Sequence, residues 1–191
     1  TDKLIFIADV HLRCRTPESR TDADFLSTVL GKLTYVFEYA RNNKIDRIGC
    51  AGDLGDLPTW SSRAVYAFVE LLKSYSDIHF LCVAGNHDVP GSSAATLHAS
   101  TLGVLDVADV LEVRNDGELF TRARKTTTTN RGINVYGYGF ATAATKELLA
   151  GGTPQHLCDL DGQVSVGLVH APVGPDDDRG VWKSVSAVKA K

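Results

Sequence analysis

A chain of 191 residues with 43% hydrophobic and 23% charged side chains has the length and apolar content of one globular domain with a real core. Its formal net charge of -3 excludes a strongly basic module that holds nucleic acid by phosphate neutralisation alone, while leaving room for a local basic patch. No apolar run approaches the roughly 18 residues of a membrane span, and no signal-sequence pattern opens the chain, so a cytoplasmic protein without a membrane partner is expected.

The first apolar run, Leu4 to Ala8, reads as a strand that delivers Asp9-Val10-His11 at its C-terminal end. Asp9 and His11, two apart, point the same way if that segment stays extended. A helix is predicted from about Asp22 to Asn43, because Phe25, Val29, Leu33, Val36, Phe37 and Ala40 recur at helical spacing. Thr21 or Asp22 is the expected cap. Gly31 inside it costs about 1 kcal/mol against alanine, so a packing need for the small residue is expected there.

The second strand, Arg47 to Ala51, runs into Gly52-Asp53-Leu54-Gly55-Asp56. A second helix, Ser61 to Ser74, places Ala64, Val65, Phe68, Val69 and Leu72 on one side. The run Ile78 to Ala84 is the third strand and stops at Gly85-Asn86-His87-Asp88. This alternation predicts a parallel βαβαβ unit, an α/β architecture in which ligands gather at the C-terminal ends of strands.

After residue 88 the pattern changes. Ala94 to Thr101 is expected to be helical, whereas Val110 to Val113, Leu119 to Arg122 and Ile133 to Tyr138 read as short strands. Asn115-Asp116-Gly117 reads as a hairpin turn and Thr126 to Asn130 as a polar loop. Thr142 to Ala150 looks helical, closed by Gly151-Gly152, and Val164 to Val169 is a further strand ending on His170. A second sheet packed on the first, within a single domain over 1–191, is therefore expected. The four cysteines, Cys14, Cys50, Cys82 and Cys158, lack paired spacing and read as reduced packing thiols.

Four strand ends each offer Asp, Asn or His. Two divalent cations about 3.5–4 Å apart need a bridging carboxylate flanked by Asp, His and Asn ligands, with positions left open for water and substrate. Asp53, following a glycine at the tip of the central strand, is the candidate bridge. Asp9 and His11 suit one cation, and Asn86 and His170 the other. A hydroxide acidified by both cations can attack phosphorus in line, and His87, beside a ligand, can stabilise charge and protonate the departing oxygen. Asp53 and His87 are thus the candidate catalytic pair.

Asp56 and Asp88 are read as supporting the ligands or shaping their loops. Arg13, Arg15 and Arg20 follow the first motif as phosphate-gripping residues would, and a solvated loop explains them equally well. His79, His98 and His156 are read as structural, and Asp176-Asp177-Asp178 as a solvated loop.

Asp9-Val10-His11, Gly52-Asp53, Gly85-Asn86-His87-Asp88 and Gly167-Leu168-Val169-His170 resemble the successive motifs of the calcineurin-like metallophosphoesterase superfamily. The resemblance implies a four-layer α/β/β/α sandwich with mixed sheets and a dimetal phosphoesterase site. Leu12 after the first motif, Arg20 and Asp22 before the long helix, and Gly52 to Asp56 followed by Pro58 and Ser61 are similar to SbcD-type nuclease subunits of bacteria and phages. That narrower likeness implies a manganese-dependent DNA exo- or endonuclease of repair or recombination, with a homodimer and a coiled-coil ATPase as partners. Magnesium, iron and zinc are the alternative metals.

The superfamily closes its site with a Gly-His-x-His motif that this sequence lacks, so a C-terminally incomplete domain or an incomplete metal site is expected. Two other readings compete with the nuclease: a phosphoesterase for small substrates or phosphoproteins, and a non-catalytic scaffold.

Overall fold

The computed structural model describes residues 3–121, 133–150 and 164–171. Its first sheet is wholly parallel, in the order β1 (Ile5–Ile7), β2 (Arg47–Cys50), β3 (His79–Cys82) and β4 (Glu112–Val113). Two crossover helices, α1 (Phe25–Asn42) and α2 (Ser62–Ser74), connect β1 to β2 and β2 to β3. Strand ends fall one residue or two inside the predicted ones. The βαβαβ unit forms as its apolar pattern predicts.

Both helices lie on one face of this sheet. Leu33, Phe37 and Ala40 of α1 and Ala64, Phe68 and Leu72 of α2 are buried, and the rings of Phe37 and Phe68 stand 5.9 and 5.8 Å from Phe80 of β3. Burying each such ring contributes about 1.5–3 kcal/mol. The next residue, Leu81, points the other way, as the strand period of two requires. With Val83 it joins Phe120, Val135 and Leu168 in a second apolar cluster between the sheets. A Cβ built on Gly49 would approach Leu168 to 3.0 Å, so the two sheets close tightly over that position.

The second sheet is mixed: β5 (Asp116–Leu119) runs antiparallel to β6 (Ile133–Tyr138), which pairs in parallel with β7 (Val164–Val169). Two helices on a parallel sheet, backed by a mixed second sheet, realise the expected α/β sandwich. Two shorter helices, α3 (Thr101–Val107) and α4 (Ala143–Leu149), complete the described secondary structure apart from 3-10 turns. No helix among the described residues is long and apolar enough to cross a membrane.

Several local expectations are corrected. The side chain of Asp24, not Thr21 or Asp22, caps α1 by accepting from the Ser27 amide at 3.2 Å. Asp22 is instead engaged by Arg20. Ala94–Ala99 forms 3-10 turns, and the α-helix begins at Thr101, where Ser100 caps the Gly103 amide. Nothing lies within 4 Å of a Cβ built on the exposed Gly31, so no packing contact calls for a glycine.

Asn115-Asp116-Gly117 is not a hairpin turn. β4 and β5 belong to different sheets, and Asp116 and Gly117 already lie within β5. Asn115 marks the crossing: its Oδ1 accepts the Ala84 amide and its carbonyl accepts the Gly139 amide, both at 2.7 Å. A side-chain amide that ties the tip of one sheet to the other outweighs the local turn preference.

Cys14, Cys50 and Cys82 are free thiols, and burial pushes the Cys82 thiol well above its usual range. Arg122, Thr126 to Asn130, Gly151-Gly152, His156, Cys158 and Asp176 to Asp178 lie outside the described residues.

Candidate metal centre

The loops after β1 and β2 run side by side from the strand tips. Asp9 donates its amide to the Gly52 carbonyl at 3.2 Å, His11 to Asp53 at 3.0 Å and Leu12 to Leu54 at 2.9 Å. Asp9, His11 and Asp53 all adopt left-handed backbone, with φ of 53°, 48° and 50°. Non-glycine residues pay about 1–3 kcal/mol for such conformations and keep them where the surroundings over-determine the geometry. The segment from Asp9 to His11 is therefore not extended, contrary to the expectation from spacing. The two side chains still meet, because the turn swings His11 Nε2 to 4.0 Å from Asp9 Oδ1.

Asp53 lies at the centre and is 4% exposed. Its Oδ1 accepts the His87 amide at 3.0 Å, while Oδ2 stands 3.9 Å from His11 Nε2 and 3.6 Å from His170 Nε2. Asn86 Oδ1 lies 3.2 Å from the same His170 nitrogen. His170 Nδ1 is 2.8 Å from the Ala51 carbonyl, which can only accept, so Nδ1 donates there and Nε2 faces the oxygens of Asp53 and Asn86. Asp9, Asp53, Asn86 and His170 line one cavity of about 510 Å³, with Phe140 and Ser92 on its wall.

Glycines make these approaches possible. A Cβ on Gly52 would fall 2.2 Å from His170 Nδ1, and one on Gly85 would fall 2.0 Å from Asp53 Oδ1. The glycines in Gly52-Asp53 and Gly85-Asn86 are thus part of the site.

A second cluster adjoins the first. Asp56 Oδ1 lies 3.6 Å from His11 Nδ1, a buried atom with no hydrogen-bond partner, and Asp56 Oδ2 accepts from Arg13 at 2.7 Å. His87 Nδ1 sits 3.0 Å from the Asp56 carbonyl, so it donates there and leaves Nε2 available. The His87 and His11 rings meet edge to face at 4.8 Å. Asp56, read from sequence as supporting, thus lies among potential donors with His11 and His87.

Asp88 holds the loops together. Buried to 1% exposure, its carboxylate accepts the amides of Gly55 at 2.8 Å, Gly85 at 2.9 Å and Leu54 at 3.2 Å. Burial, chiefly, pushes this carboxyl above the usual range, and nearby Asp53 adds to the rise against the pull of the three amides.

The predicted arginines separate. Arg13 is tied to Asp56, and Arg20 makes a two-pronged contact with Asp22 at 2.8 and 3.1 Å. Both guanidinium groups lie over the Phe25 ring, at 5.6 and 5.7 Å. Arg15 is exposed beside a separate groove. Ala51, Ser92 and Phe140 were not foreseen. Ala51 acts through its carbonyl, and Ser92 and Phe140 reach the cavity only through folding, so local residue chemistry carries no signal for them.

Carboxylates, imidazoles and an amide oxygen form the mixed nitrogen and oxygen set that suits borderline divalent cations. His170 Nε2 aimed at the same point as the Asp53 and Asn86 oxygens, and the orphaned His11 Nδ1 facing Asp56, place nitrogen and oxygen donors where a cation can be held. These residues fit a metal centre on both sides of Asp53.

Strand tips from two packed sheets that converge on such a donor set form an arrangement suited to metal-dependent phosphoester chemistry. The chain belongs to the calcineurin-like phosphoesterase family, whose model matches residues 3–181. It is also similar to the DNA double-strand break repair protein Mre11 of Aeropyrum pernix, with 36% identity over 99 residues. That match covers 50% of this chain and 23% of the relative, so the chain spans well under half of that protein's length.

Proposed function

We propose that this protein hydrolyses phosphodiester bonds in DNA with two divalent cations, manganese being the expected metal, in the cytoplasm. The observation that carries this reading is the position of Asp53 between His11 and His170, with Asp9 and Asn86 on the same cavity. Asp9, His11 and Asp53 would hold one cation, and Asp53, Asn86 and His170 the other. When bound, the cations supply Lewis acidity that activates water and neutralises phosphoryl oxygens.

The chain's own residues do the rest. Asp53 keeps the two halves of the centre in register through its bond from the His87 amide. His87, whose Nδ1 donates to the Asp56 carbonyl, would act as the imidazolium, giving its Nε2 proton to the departing oxygen and returning to the neutral ring. Arg13 fixes Asp56 against His11, which makes it a positioning residue. Likeness to a DNA double-strand break repair protein favours DNA over small diesters, and a second copy of this chain and a coiled-coil ATPase are the partners we propose.

The test compares manganese-dependent release of nucleotides from single- and double-stranded DNA with hydrolysis of a nitrophenyl phosphodiester. Cleavage of DNA is expected. Activity confined to the small ester would assign a small-substrate phosphoesterase, and no activity with metal bound would assign a scaffold.

A further inference from the structure

A groove of about 690 Å³ opens beside the metal centre, between the segment 12–19 that follows β1 and the segment 56–64 that enters α2. Asp56 belongs to both places: it lines the groove, and its carboxylate lies 3.6 Å from His11 Nδ1. A ligand whose reacting group sits at the metal centre can therefore continue into the groove. The volume falls within the range of about 300–1,000 Å³ typical of small-molecule sites and accommodates one nucleoside.

The walls suit such an occupant. Leu57, 63% exposed, supplies apolar surface, while Thr16, Thr59 and Ser61 add hydroxyl groups. Charge is more selective than residue type suggests. Arg13 is held by Asp56 and Arg20 by Asp22, whereas among the described residues no carboxylate pairs with the exposed Arg15. Glu18 shares the wall, so the groove offers a single cationic grip instead of a basic track.

Resting on the phosphodiesterase reading above, we propose that this groove is a subsite for the nucleotide adjoining the scissile phosphate of a nucleic-acid strand, with Arg15 on its flanking phosphate. The base and sugar lie against the exposed Leu57 side chain, and the strand leaves the metal centre past Asp56. Arg15 is the specificity-determining residue for a chain substrate, because a small diester has no second phosphate to present.

The experiment measures binding, so it does not depend on turnover. A fluorescent phosphorothioate single strand is titrated against the manganese-loaded protein over a range of salt concentrations. Arg15→Ala is expected to weaken binding roughly tenfold and to lower the slope of log affinity against log salt by about 0.7, the share of one phosphate contact on a single strand. Thr59→Trp, which fills the groove without changing charge, is expected to weaken binding with the slope unchanged. The double variant Arg20→Ala with Asp22→Asn, which removes this ion pair without changing net charge, is expected to leave both quantities as they are. Parent-like affinity and slope in both Arg15→Ala and Thr59→Trp would overturn the subsite, as would a parent that binds no strand. Failure of the phosphodiesterase reading is seen separately, as absence of manganese-dependent hydrolysis of both DNA and the nitrophenyl diester by the parent.

Discussion

Asp53 Oδ2 lies 3.6 Å from His170 Nε2, whose partner nitrogen already donates to the Ala51 carbonyl. A carboxylate oxygen and an imidazole nitrogen aimed at one point form a donor pair that a divalent cation can bridge. Manganese should therefore stabilise the fold. At a concentration a hundredfold above Kd the gain is about 2.7 kcal/mol, or roughly 5–10 °C in melting temperature for a chain of this size. Differential scanning fluorimetry with and without chelator measures it. Asp53→Asn should remove most of the shift, and a full shift in that variant would take Asp53 out of the centre.

His87 reaches the cluster with Nε2 available and Nδ1 anchored. His87→Ala is expected to lower kcat by about 10²- to 10⁴-fold, the usual contribution of a positioned proton donor, while manganese still binds by calorimetry. An unchanged rate would remove the residue from the chemistry.

Asp88 satisfies three buried backbone amides. Asp88→Ala leaves those donors without acceptors, at about 1–3 kcal/mol for each one left unmet, so a loss of at least about 3 kcal/mol is expected in urea denaturation. Asp88→Asn keeps one acceptor oxygen and should lose less. Equal stability of the alanine variant and the parent would mean that water reaches these amides.

Arg20 holds the Asp22 carboxyl down at about 2, from its ordinary 3.8, mainly through their hydrogen bonds. A lowered carboxyl contributes stability that is fully present above 3.8 and is lost as pH falls toward 2. The melting-temperature difference between the parent and Arg20→Ala should therefore be seen at pH 5 and vanish near pH 2. A difference that persists in acid would trace instead to packing of the guanidinium on Phe25.

Gly31 sits in α1 with open space where a Cβ would go. Gly31→Ala should raise stability by about 1 kcal/mol, read from the chemical denaturation midpoint.

The parallel unit was legible because Phe37, Phe68 and Phe80 sit in patterns with distinct periods, and burial on one face enforces those periods. The donor types were legible for a related reason: Asp9, Asp53, Asn86 and His170 each follow an apolar run that ends abruptly, which marks a strand tip. Asn115 misled because its local preference for a turn is worth less than the two bonds it makes across the sheets.

Local periodicity and residue chemistry were enough to specify the α/β framework, the strand tips and the Asp, Asn and His side chains they carry. Long-range packing set what those features could not. The left-handed backbone at Asp9, His11 and Asp53 arises from amide bonds between two loops some 40 residues apart in sequence. The place of Asp56 among the donors and the sorting of Arg13, Arg15 and Arg20 arise likewise from contacts between segments distant in the chain. Spacing along a strand states which way a side chain can face, whereas its neighbours are chosen by the free energy of the whole folded chain.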